Sequence, residues 1–363
     1  MKTRTLMVMA GGTGGHIYPG LAVAAAVRDA GWNVVWLGTQ HGMETRIVPE
    51  HGYTMANLSM GGVRGNGLLR KIKLPFTLLV AFAQALGALR KFKPDVVLGM
   101  GGYPSFPGGM MAVLLGKPLV VHEQNSIAGL TNRILACLAD KVVVGFPAAF
   151  SNRQDKPIPC GKVTTSWLGN PVRNTIAAVP AKQVQAQRRL RLLVVGGSLG
   201  ATALNDIVPQ ALALIPDAQR PEVVHQSGAK HVDKLRENYQ AVAVSADVRD
   251  YISDMAEVYD WCDVAITRAG ALTVAELAAA GVPALLVPFP YAVDDHQTTN
   301  AQFLVAAGAA KLLPQADLSA AQLAATLQQL DSAQLLVMAQ AAKSLAKPDA
   351  TMAVAQLCMG LAK

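Results

Sequence analysis

The stretch LMVMAGGTGGH, residues 6–16, begins as a short apolar run and passes through a glycine-rich turn into residues that favour a helix. A second stretch, LLVVGGSLGA at residues 192–201, repeats the order of apolar run, two glycines, hydroxyl residue, glycine and helix. A buried strand that enters such a turn at the start of a helix is typical of a Rossmann-like domain. Its repetition about 185 residues further along predicts two such domains.

Short runs rich in Val and Leu alternate with alanine-rich stretches, which predicts parallel strands covered by helices on both faces. The predicted strands are residues 5–10, 33–37, 96–99, 118–122 and 141–145, and then 192–195, 222–226, 242–244, 264–267 and 284–288. The predicted helices include residues 20–30, 273–280 and 300–307. The expected fold class is therefore α/β, with a doubly wound parallel sheet in each of the two domains.

A polar stretch with Pro157, Pro159 and Gly161 leads to Gly169-Asn170-Pro171, and this predicts the join between the domains. We expect a first Rossmann-like domain at residues 1–165 and a second at residues 170–340. Because such sheets bind ligands at the carboxyl ends of their strands, we expect the two parallel sheets to face each other across a cleft.

The composition excludes disorder, since 52% of the 363 residues are hydrophobic and only 15% are charged. The longest apolar window, residues 76–89, is shorter than the roughly 20 residues that a membrane-spanning helix needs. The apolar run after Lys2 and Arg4 is too short for a signal peptide, so we expect the chain to stay in the cytoplasm. The four cysteines, Cys137, Cys160, Cys262 and Cys358, form no C-x-x-C motif, and we expect four reduced, mostly buried thiols.

The positive charge is concentrated in the first half, where residues 1–170 contain 17 Lys and Arg against 7 Asp and Glu. Between Glu50 and Asp95 there are basic residues interleaved with leucines, and no acidic residue. This mixture fits the surface of an anionic membrane, although a core helix with a solvated basic edge would have the same pattern. The segment contains no recognised nucleic-acid-binding module, so no nucleic acid partner is expected.

Both glycine-rich turns could bring backbone N–H groups and a helix N-terminus to an anion. Neither turn spells G-x-G-x-x-G, and the second strand ends at Leu37-Gly38-Thr39 without the acidic residue that binds a dinucleotide ribose. A dehydrogenase is therefore disfavoured. The chain also contains no D-x-D, and Asp294-Asp295-His296 are adjacent residues that rarely converge on one ion, so no metal and no cofactor are expected.

For two features of the turns, the sequence allows either a chemical role or a local structural role. His16 lies where the first turn meets its helix; a neutral ring there could act as a general base, or the side chain could simply cap or pack locally. Thr273 and Glu276 have the spacing of a capping box, but the same turn could place backbone N–H groups against a diphosphate and Glu276 against ribose hydroxyls.

Seven motifs follow one another along the chain: GGTGGHIYPGLAVA (11–24), GGYPSFPG (101–108), HEQNSIAGLTNR (122–133), GNPVR (169–173), GGSLGA (196–201), TRAGALTVAELAAAGVPALLVPFP (267–290) and DDHQTTNA (294–301). In this order they resemble the MurG family, whose members add N-acetylglucosamine to undecaprenyl-pyrophosphoryl-N-acetylmuramoyl-pentapeptide, known as lipid I. The resemblance implies a GT-B fold, a UDP-N-acetylglucosamine donor, inversion at the sugar and no catalytic metal. It also implies peripheral attachment to the cytoplasmic face of the inner membrane and a C-terminal helix, 345–363, that joins the first domain.

The resemblance further implies roles for individual residues. His16 matches the histidine proposed as the base that deprotonates the acceptor hydroxyl, and Tyr103 and Glu123 fall in motifs on the acceptor side. The residues that match contacts to UDP-N-acetylglucosamine are Thr13, Gly14, Gly15, Asn125, Arg173, Ser198, Ile252, Ala271, Leu272, Thr273, Val274, Ala275, Glu276 and Gln297. Among these, Ser198 is expected near the diphosphate, Ile252 at the uracil and Glu276 at the ribose. An epimerase that uses the same nucleotide sugar, another lipid glycosyltransferase and a non-enzymatic membrane module that binds nucleotide are the competing hypotheses.

Overall fold

The computed structural model describes residues 3–59, 68–151, 158–183, 188–197 and 200–362, with the backbone alone for residues 68–74. The chain divides into two compact units: unit 1 is formed by residues 1–173 and 349–363, and unit 2 by residues 174–348. Each unit contains one sheet in which all the neighbouring strands are parallel. The predicted α/β class with two parallel sheets is confirmed.

Unit 1 has a 7-stranded sheet in the order β3-β2-β1-β4-β5-β6-β7. The strands are β1 (Thr5–Ala10), β2 (Asn33–Thr39), β3 (Thr54–Leu58), β4 (Val96–Gly101), β5 (Leu119–Glu123), β6 (Lys141–Val144) and β7 (Ser166–Trp167). The helices are α1 (Gly14–Asp29), α2 (Glu44–Glu50), α3 (Leu68–Phe92), α4 (Ser105–Leu114), α5 (Leu130–Leu135) and, from the C-terminus, α14 (Ala350–Leu361).

The central strand β1 is buried on both faces, as its uninterrupted apolar sequence predicts. Leu6 and Val8 belong to one hydrophobic cluster, while Met7 and Met9, which point to the opposite face, belong to another. The first cluster includes Val354 of α14, and α14 also contacts α1. The C-terminal helix is therefore part of the core of unit 1.

Unit 2 has a 6-stranded sheet in the order β10-β9-β8-β11-β12-β13. The strands are β8 (Arg191–Val195), β9 (Glu222–Gln226), β10 (Asp247–Arg249), β11 (Val264–Thr267), β12 (Ala284–Leu286) and β13 (Ala310–Leu312). The helices are α6 (Asn174–Ala177), α7 (Thr202–Ala213), α8 (Val232–Ala241), α9 (Met255–Trp261), α10 (Ala271–Ala280), α11 (His296–Val305), α12 (Ala320–Gln328) and α13 (Ser332–Ser344), with short 3-10 helices at Asp217–Gln219 and Val293–Asp295.

One predicted strand, residues 242–244, is wrong. These residues form the exit of α8: the N–H groups of Ala243 and Val244 donate to the carbonyl oxygens of Gln240 and Tyr239 at 3.1 Å, so they are not available to a sheet. Ala243 also has a left-handed backbone, with φ 50°. The strand follows at β10, in a sequence too polar and too short to show a strand pattern.

The expectation of four reduced cysteines is wrong for two of them. Cys137, just after α5, and Cys160, in the segment before β7, form a disulfide with their Cα atoms 5.6 Å apart. The two residues are separated by 23 positions, and the fold brings them together where sequence spacing shows no motif. Cys262 and Cys358 are buried free thiols, and burial raises the pKa of each to about 12.

Within the described residues, no helix has both the length and the apolar character needed to cross a bilayer.

Within the described part of the chain, each unit has a fully buried histidine in one of its strands. His122 lies at the end of β5, where burial lowers its pKa to about 4, and a hydrogen bond at 3.0 Å joins its Nε2 to the carbonyl oxygen of Gly169. His225 lies in β9, and burial lowers its pKa to about 3. Both rings are therefore neutral in the folded chain at neutral pH.

These histidines predict a loss of stability in mild acid. Between pH 6.5 and about 4 the unfolded chain binds protons that the folded chain does not, so the free energy of unfolding should fall by up to about 1.4 kcal/mol per pH unit for each histidine. Urea unfolding followed by circular dichroism at pH 7.0, 6.0 and 5.0 measures this fall. His225→Phe should reduce the pH dependence, and equal pH dependence in the variant and the parent would contradict the assignment.

Candidate active site

The first glycine-rich turn joins β1 to α1 at the carboxyl edge of the unit 1 sheet. Gly12 has φ +90°, a conformation that favours glycine. Thr13 is the N-cap of α1 with extended backbone angles, and its carbonyl oxygen accepts from the N–H of His16 at 3.1 Å. The turn therefore places the histidine within the first turn of the helix.

The imidazole of His16 is oriented by the backbone of its own turn. Its Nδ1 lies 3.2 Å from the carbonyl oxygen of Gly11 and 3.3 Å from the hydroxyl of Thr13. Because a carbonyl oxygen only accepts hydrogen bonds, this geometry assigns the hydrogen to Nδ1 and the lone pair to Nε2. A ring in this tautomer can accept a proton at Nε2, so the local contacts and a role as a base are compatible.

The turn after β4 lies directly against the first turn. A Cβ atom on Gly102 would overlap the carbonyl oxygen of Gly11, and one on Gly101 would lie 3.1 Å from the His16 ring. Both glycines have positive φ, which is +97° for Gly101 and +82° for Gly102. Tyr103 follows, half-buried against the hydrophobic cluster on the α3 and α4 side of the sheet. Only glycines at these two positions allow β1 and β4 to bring their turns this close.

Glu123, at the end of β5, accepts hydrogen bonds from the residues that follow its strand. Its Oε1 accepts from the backbone N–H of Asn125 at 2.9 Å and from the side chain of Asn125 at 3.3 Å. Its Oε2 accepts from the N–H of Gly129 at 3.0 Å and from Nδ2 of Asn132 at 2.9 Å. Because Glu123 is only 2% exposed, its carboxylate has little surface to offer an acceptor. Its hydrogen bonds hold Asn125 in place instead.

The HEQN and GNPVR motifs meet in a buried polar network. Nε2 of Gln124 donates to Nδ1 of His122 at 3.1 Å, and the carbonyl oxygen of Gln124 accepts from Asn170 at 3.0 Å. This network fixes the segment that leads to Arg173, an exposed residue at the end of unit 1. Unit 1 thus gathers Thr13, Gly14, Gly15, His16, Tyr103, Glu123 and Asn125 at the carboxyl ends of three adjacent strands, β1, β4 and β5.

The second glycine-rich turn follows β8 in unit 2. Gly197 and Gly200 have φ +91° and +78°, and a Cβ atom on Gly200 would overlap the carbonyl oxygen of Ser227. The backbone of this turn therefore packs closely against the end of β9. Ser198, which sequence reasoning placed at the diphosphate, lies outside the described residues.

Gln226 joins this turn to the loop that contains Ile252. Its Nε2 donates to the carbonyl oxygen of Gly197 at 3.0 Å, and its Oε1 accepts from the N–H of Ile252 at 2.9 Å. Gln226 and Ile252 are each 3% exposed. The amide thus couples the predicted phosphate turn to the predicted uracil contact.

The turn before α10 is not a capping box. Gly270 is the N-cap, so Thr273 lies inside the first turn, and the first helical hydrogen bond runs from Val274 N–H to Gly270. The amides of Ala271, Leu272 and Thr273 precede that bond and have no acceptor within the helix. Glu276 is 8% exposed, and its Oε2 accepts from the hydroxyl of Tyr259 at 3.2 Å.

Gln297 lies in the first turn of α11, close to the end of β12. Its Oε1 accepts from the N–H of Phe289 at 2.9 Å. Asp294 and Asp295 both have left-handed backbones, with φ 59° and 52°, an arrangement that costs energy in non-glycine residues and is frequent at functional sites. Among the described residues, no group of three His, Cys, Asp or Glu side chains could hold a metal ion, and metal-free transfer stays a prediction.

Sequence reasoning missed the residues that hold these turns: Glu44, Asn132, Gln226 and Tyr259. Asn132 and Gln226 lie in or beside motifs that were recognised, HEQNSIAGLTNR and the strand at residues 222–226, so their positions were visible but not their contacts. Glu44 is 0% exposed, and its burial was not visible because its surroundings in sequence are polar and glycine-rich.

Two comparisons with known domains cover most of the chain. Residues 6–144 match the glycosyltransferase family 28 N-terminal domain, and residues 191–355 match the glycosyltransferase family 28 C-terminal domain. With two parallel-sheet units and a glycine-rich turn at the edge of each sheet, the chain is a two-domain GT-B glycosyltransferase.

Individual relatives identify the family within the GT-B glycosyltransferases. A Thiobacillus denitrificans protein named UDP-N-acetylglucosamine–N-acetylmuramyl-(pentapeptide) pyrophosphoryl-undecaprenol N-acetylglucosamine transferase is 65% identical over 361 residues, covering 99% of each chain. A Cupriavidus metallidurans protein of the same name is 58% identical over 100% of this chain and 99% of its own. The crystal structure of Acinetobacter baumannii MurG superposes with a TM-score of 0.81 at 40% identity, covering 98% of this chain and 99% of that one. The chain therefore belongs to the MurG family.

The bridge made by Gln226 predicts an effect on nucleotide binding. Gln226→Glu would place a carboxylate oxygen against the carbonyl oxygen of Gly197, and the lost hydrogen bond should weaken UDP binding by about 10-fold. Isothermal titration with UDP measures the change. Gln84→Glu alters an amide of unit 1 that hydrogen-bonds Ser59 and should leave the UDP dissociation constant unchanged; equal weakening in both variants would contradict a specific role of Gln226 in UDP binding.

Proposed function

We propose that this chain transfers N-acetylglucosamine from UDP-N-acetylglucosamine to the C4 hydroxyl of the N-acetylmuramoyl group of lipid I, forming lipid II for peptidoglycan synthesis. The main support is the full-length identity to the Thiobacillus denitrificans transferase, whose name states the donor, the sugar and the undecaprenol-linked acceptor. The glycine-rich turns described above carry the groups to which we assign the roles in this reaction.

On the acceptor side, the reaction needs a base. The C4 hydroxyl attacks the anomeric carbon of the donor, Nε2 of His16 takes the hydroxyl proton, and UDP leaves from the opposite face, which inverts the sugar. The orientation of the His16 ring by Gly11 supports this assignment, since it leaves Nε2 as the proton acceptor. Asn125, held by Glu123, and Thr13, Gly14 and Gly15 are the proposed first-domain contacts to the transferred sugar, with Tyr103 on the acceptor side.

On the donor side, the reaction needs positive potential for a leaving diphosphate. The amides of Ala271–Thr273 at the start of α10 are dipoles suited to an anion. We propose that Arg173 adds a charge and Ser198 a hydroxyl donor. Donors preorganised in this way are worth roughly 3 kcal/mol each in other enzymes. Glu276 at the ribose, Ile252 at the uracil and Gln297 complete the proposed donor contacts.

A membrane surface is the proposed location of the acceptor. In α3, Phe76 is 74% exposed and Leu79 is 66% exposed, while Arg90 and Lys91 lie in its last turn. Apolar side chains and cations on one helix suit an anionic bilayer surface. We propose peripheral attachment to the cytoplasmic face of the inner membrane. The basic residues Arg64, Arg70, Lys71 and Lys73 belong to the same segment, but their side chains lie outside the described residues.

The function is tested with purified lipid I and labelled UDP-N-acetylglucosamine. We expect a labelled disaccharide lipid and UDP as products. His16→Ala should lower kcat by about 10²- to 10⁴-fold, because a positioned base contributes that much to proton transfer, while UDP affinity stays nearly the same.

Two outcomes would contradict this proposal in different ways. Free sugar, or an epimerised sugar with no lipid product, would exclude transfer to lipid I and favour an epimerase. UDP-sugar binding without turnover on lipid acceptors would indicate a module that only binds nucleotide. Nearly full activity in His16→Ala would leave the transfer standing and remove the assignment of the base.

Membrane attachment is tested by sedimentation with vesicles that contain anionic lipid. We expect the chain to be retained at low ionic strength and released as salt is added, because screening weakens each basic contact of about 1 kcal/mol. Phe76→Ala with Leu79→Ala should reduce retention. Leu214→Ala removes a leucine of unit 2 that is 58% exposed and should have no effect, and equal loss in both variants would contradict a role for α3.

A further inference from the structure

Glu44 is a fully buried carboxylate beneath the first glycine-rich turn. It lies in the first turn of α2 and is 0% exposed. Its Oε1 accepts from the N–H of Thr39 at 2.9 Å and from the hydroxyl of Thr39 at 2.7 Å. Its Oε2 accepts from the N–H of Gly12 at 3.1 Å. The side chain is thus fixed to the end of β2 on one side and to the turn of His16 on the other.

One peptide group separates this carboxylate from the histidine. The N–H that donates to Glu44 belongs to Gly12, and the carbonyl oxygen that faces Nδ1 of His16, at 3.2 Å, belongs to Gly11. These two groups are the opposite ends of the same planar trans peptide, so they point in opposite directions. The order of groups is carboxylate, peptide N–H, peptide carbonyl, imidazole.

This row of hydrogen-bonded groups couples the carboxylate to the imidazole, because hydrogen bonds in a row polarise one another. A carboxylate on the N–H makes the carbonyl oxygen more negative and therefore a better acceptor for Nδ1–H. The start of α1 acts in the opposite sense, since the positive end of a helix disfavours an imidazolium. A full negative charge behind the turn offsets that effect.

We propose that Glu44 is a positioning residue for His16, which holds the ring in the Nδ1–H tautomer through the Gly11–Gly12 peptide and raises the basicity of Nε2. The proposal rests on the proposed function, in which His16 is the base. This arrangement differs from a direct carboxylate–histidine pair, because a peptide group lies between the carboxylate and the imidazole. The buried carboxylate is therefore out of reach of the substrate.

The packing around the carboxylate supports a specific role. Cβ atoms on Gly11 and Gly38 would lie 2.5 Å and 2.8 Å from atoms of the Glu44 side chain, and one on Gly42 would overlap the carboxylate. Gly11, Gly38 and Gly42 therefore lie against the Glu44 side chain, and a larger residue at any of them would collide with it. Substituting the carboxylate changes the charge without opening the site to a different side chain.

Other ionisable groups lie on the segments that border this turn. Glu123 of β5 is reached through Asn132, whose Nδ2 is 3.7 Å from a Cβ built on Gly101, the residue against His16. Tyr18 lies on α1, and Tyr103 follows the turn after β4. Glu44 is distinguished from these groups by the peptide that it shares with His16.

The test is Glu44→Gln, which keeps the shape and removes the charge. We expect kcat to fall about 10- to 100-fold with the KM for UDP-N-acetylglucosamine within about twofold, and the acidic limb of the kcat–pH profile to move to lower pH by about one unit. In a His16→Ala background the same substitution should lower kcat by less than about twofold, since the two residues act as one unit. A normal kcat, or an equal fall in both backgrounds, would overturn the proposal.

Asp95→Asn is the matched control. Asp95 accepts from the N–H of Thr5 at 2.7 Å at the opposite end of β1, so this variant also removes a charge next to a strand amide. It should leave kcat and the pH profile unchanged, and changes equal to those of Glu44→Gln would overturn the proposal.

A measurement on the unsubstituted chain keeps the proposal testable if Glu44→Gln does not fold. Nitrogen-15 NMR of labelled histidine, assigned by the signal missing from His16→Ala, should show the Nδ1–H tautomer at pH 8, and the Nε2–H tautomer would overturn the proposal. If His16→Ala is nearly fully active, the proposed base itself fails. If His16→Ala is impaired and Glu44→Gln is not, only the role of Glu44 fails.

Discussion

The central strands of both parallel sheets are buried on both faces, and this constraint decides where chemistry can occur. The central strands carry apolar side chains such as those of β1, which contact one cluster on each face. Polar groups can reach solvent only where strands end and turns begin. The turns after β1 and β8 must reverse direction within a few residues and approach neighbouring strands closely, which explains their positive-φ glycines.

Glycine turns are flexible unless side chains hold them, and the two units use different side chains. In unit 1 the carboxylate of Glu44 accepts from the N–H of Gly12; in unit 2 the amide of Gln226 donates to the carbonyl oxygen of Gly197. The difference suits the chemistry proposed for each turn. A negative charge behind His16 favours proton uptake, whereas a carboxylate behind a diphosphate site would repel the ligand. A neutral amide holds the second turn without that repulsion.

Periodicity located most of the secondary structure because buried parallel strands are continuous apolar runs. Strands β1, β9 and β11 have the predicted bounds. The error at residues 242–244 arose because an apolar helix exit has the same local composition as a short strand, while β10 is three polar-flanked residues. The disulfide between Cys137 and Cys160 was missed because its geometry depends on how α5 and the segment before β7 meet.

The sequence by itself determined the α/β class, the two glycine-rich turns and the motifs that mark the family, because these are local patterns. It also predicted His16 as the base and the residues of the donor contacts, and these roles stay predictions. Only the tertiary structure decided which side chains hold those turns, since Glu44 is 32 residues from Gly12 and Gln226 is 29 from Gly197. It also excluded the capping box that the spacing of Thr273 and Glu276 allowed, because Gly270 is the N-cap and Glu276 accepts from Tyr259, while the role of Glu276 at a ribose stays a prediction. Hydrogen bonds between residues far apart in sequence depend on which strands are neighbours, and that order is a property of the folded sheet.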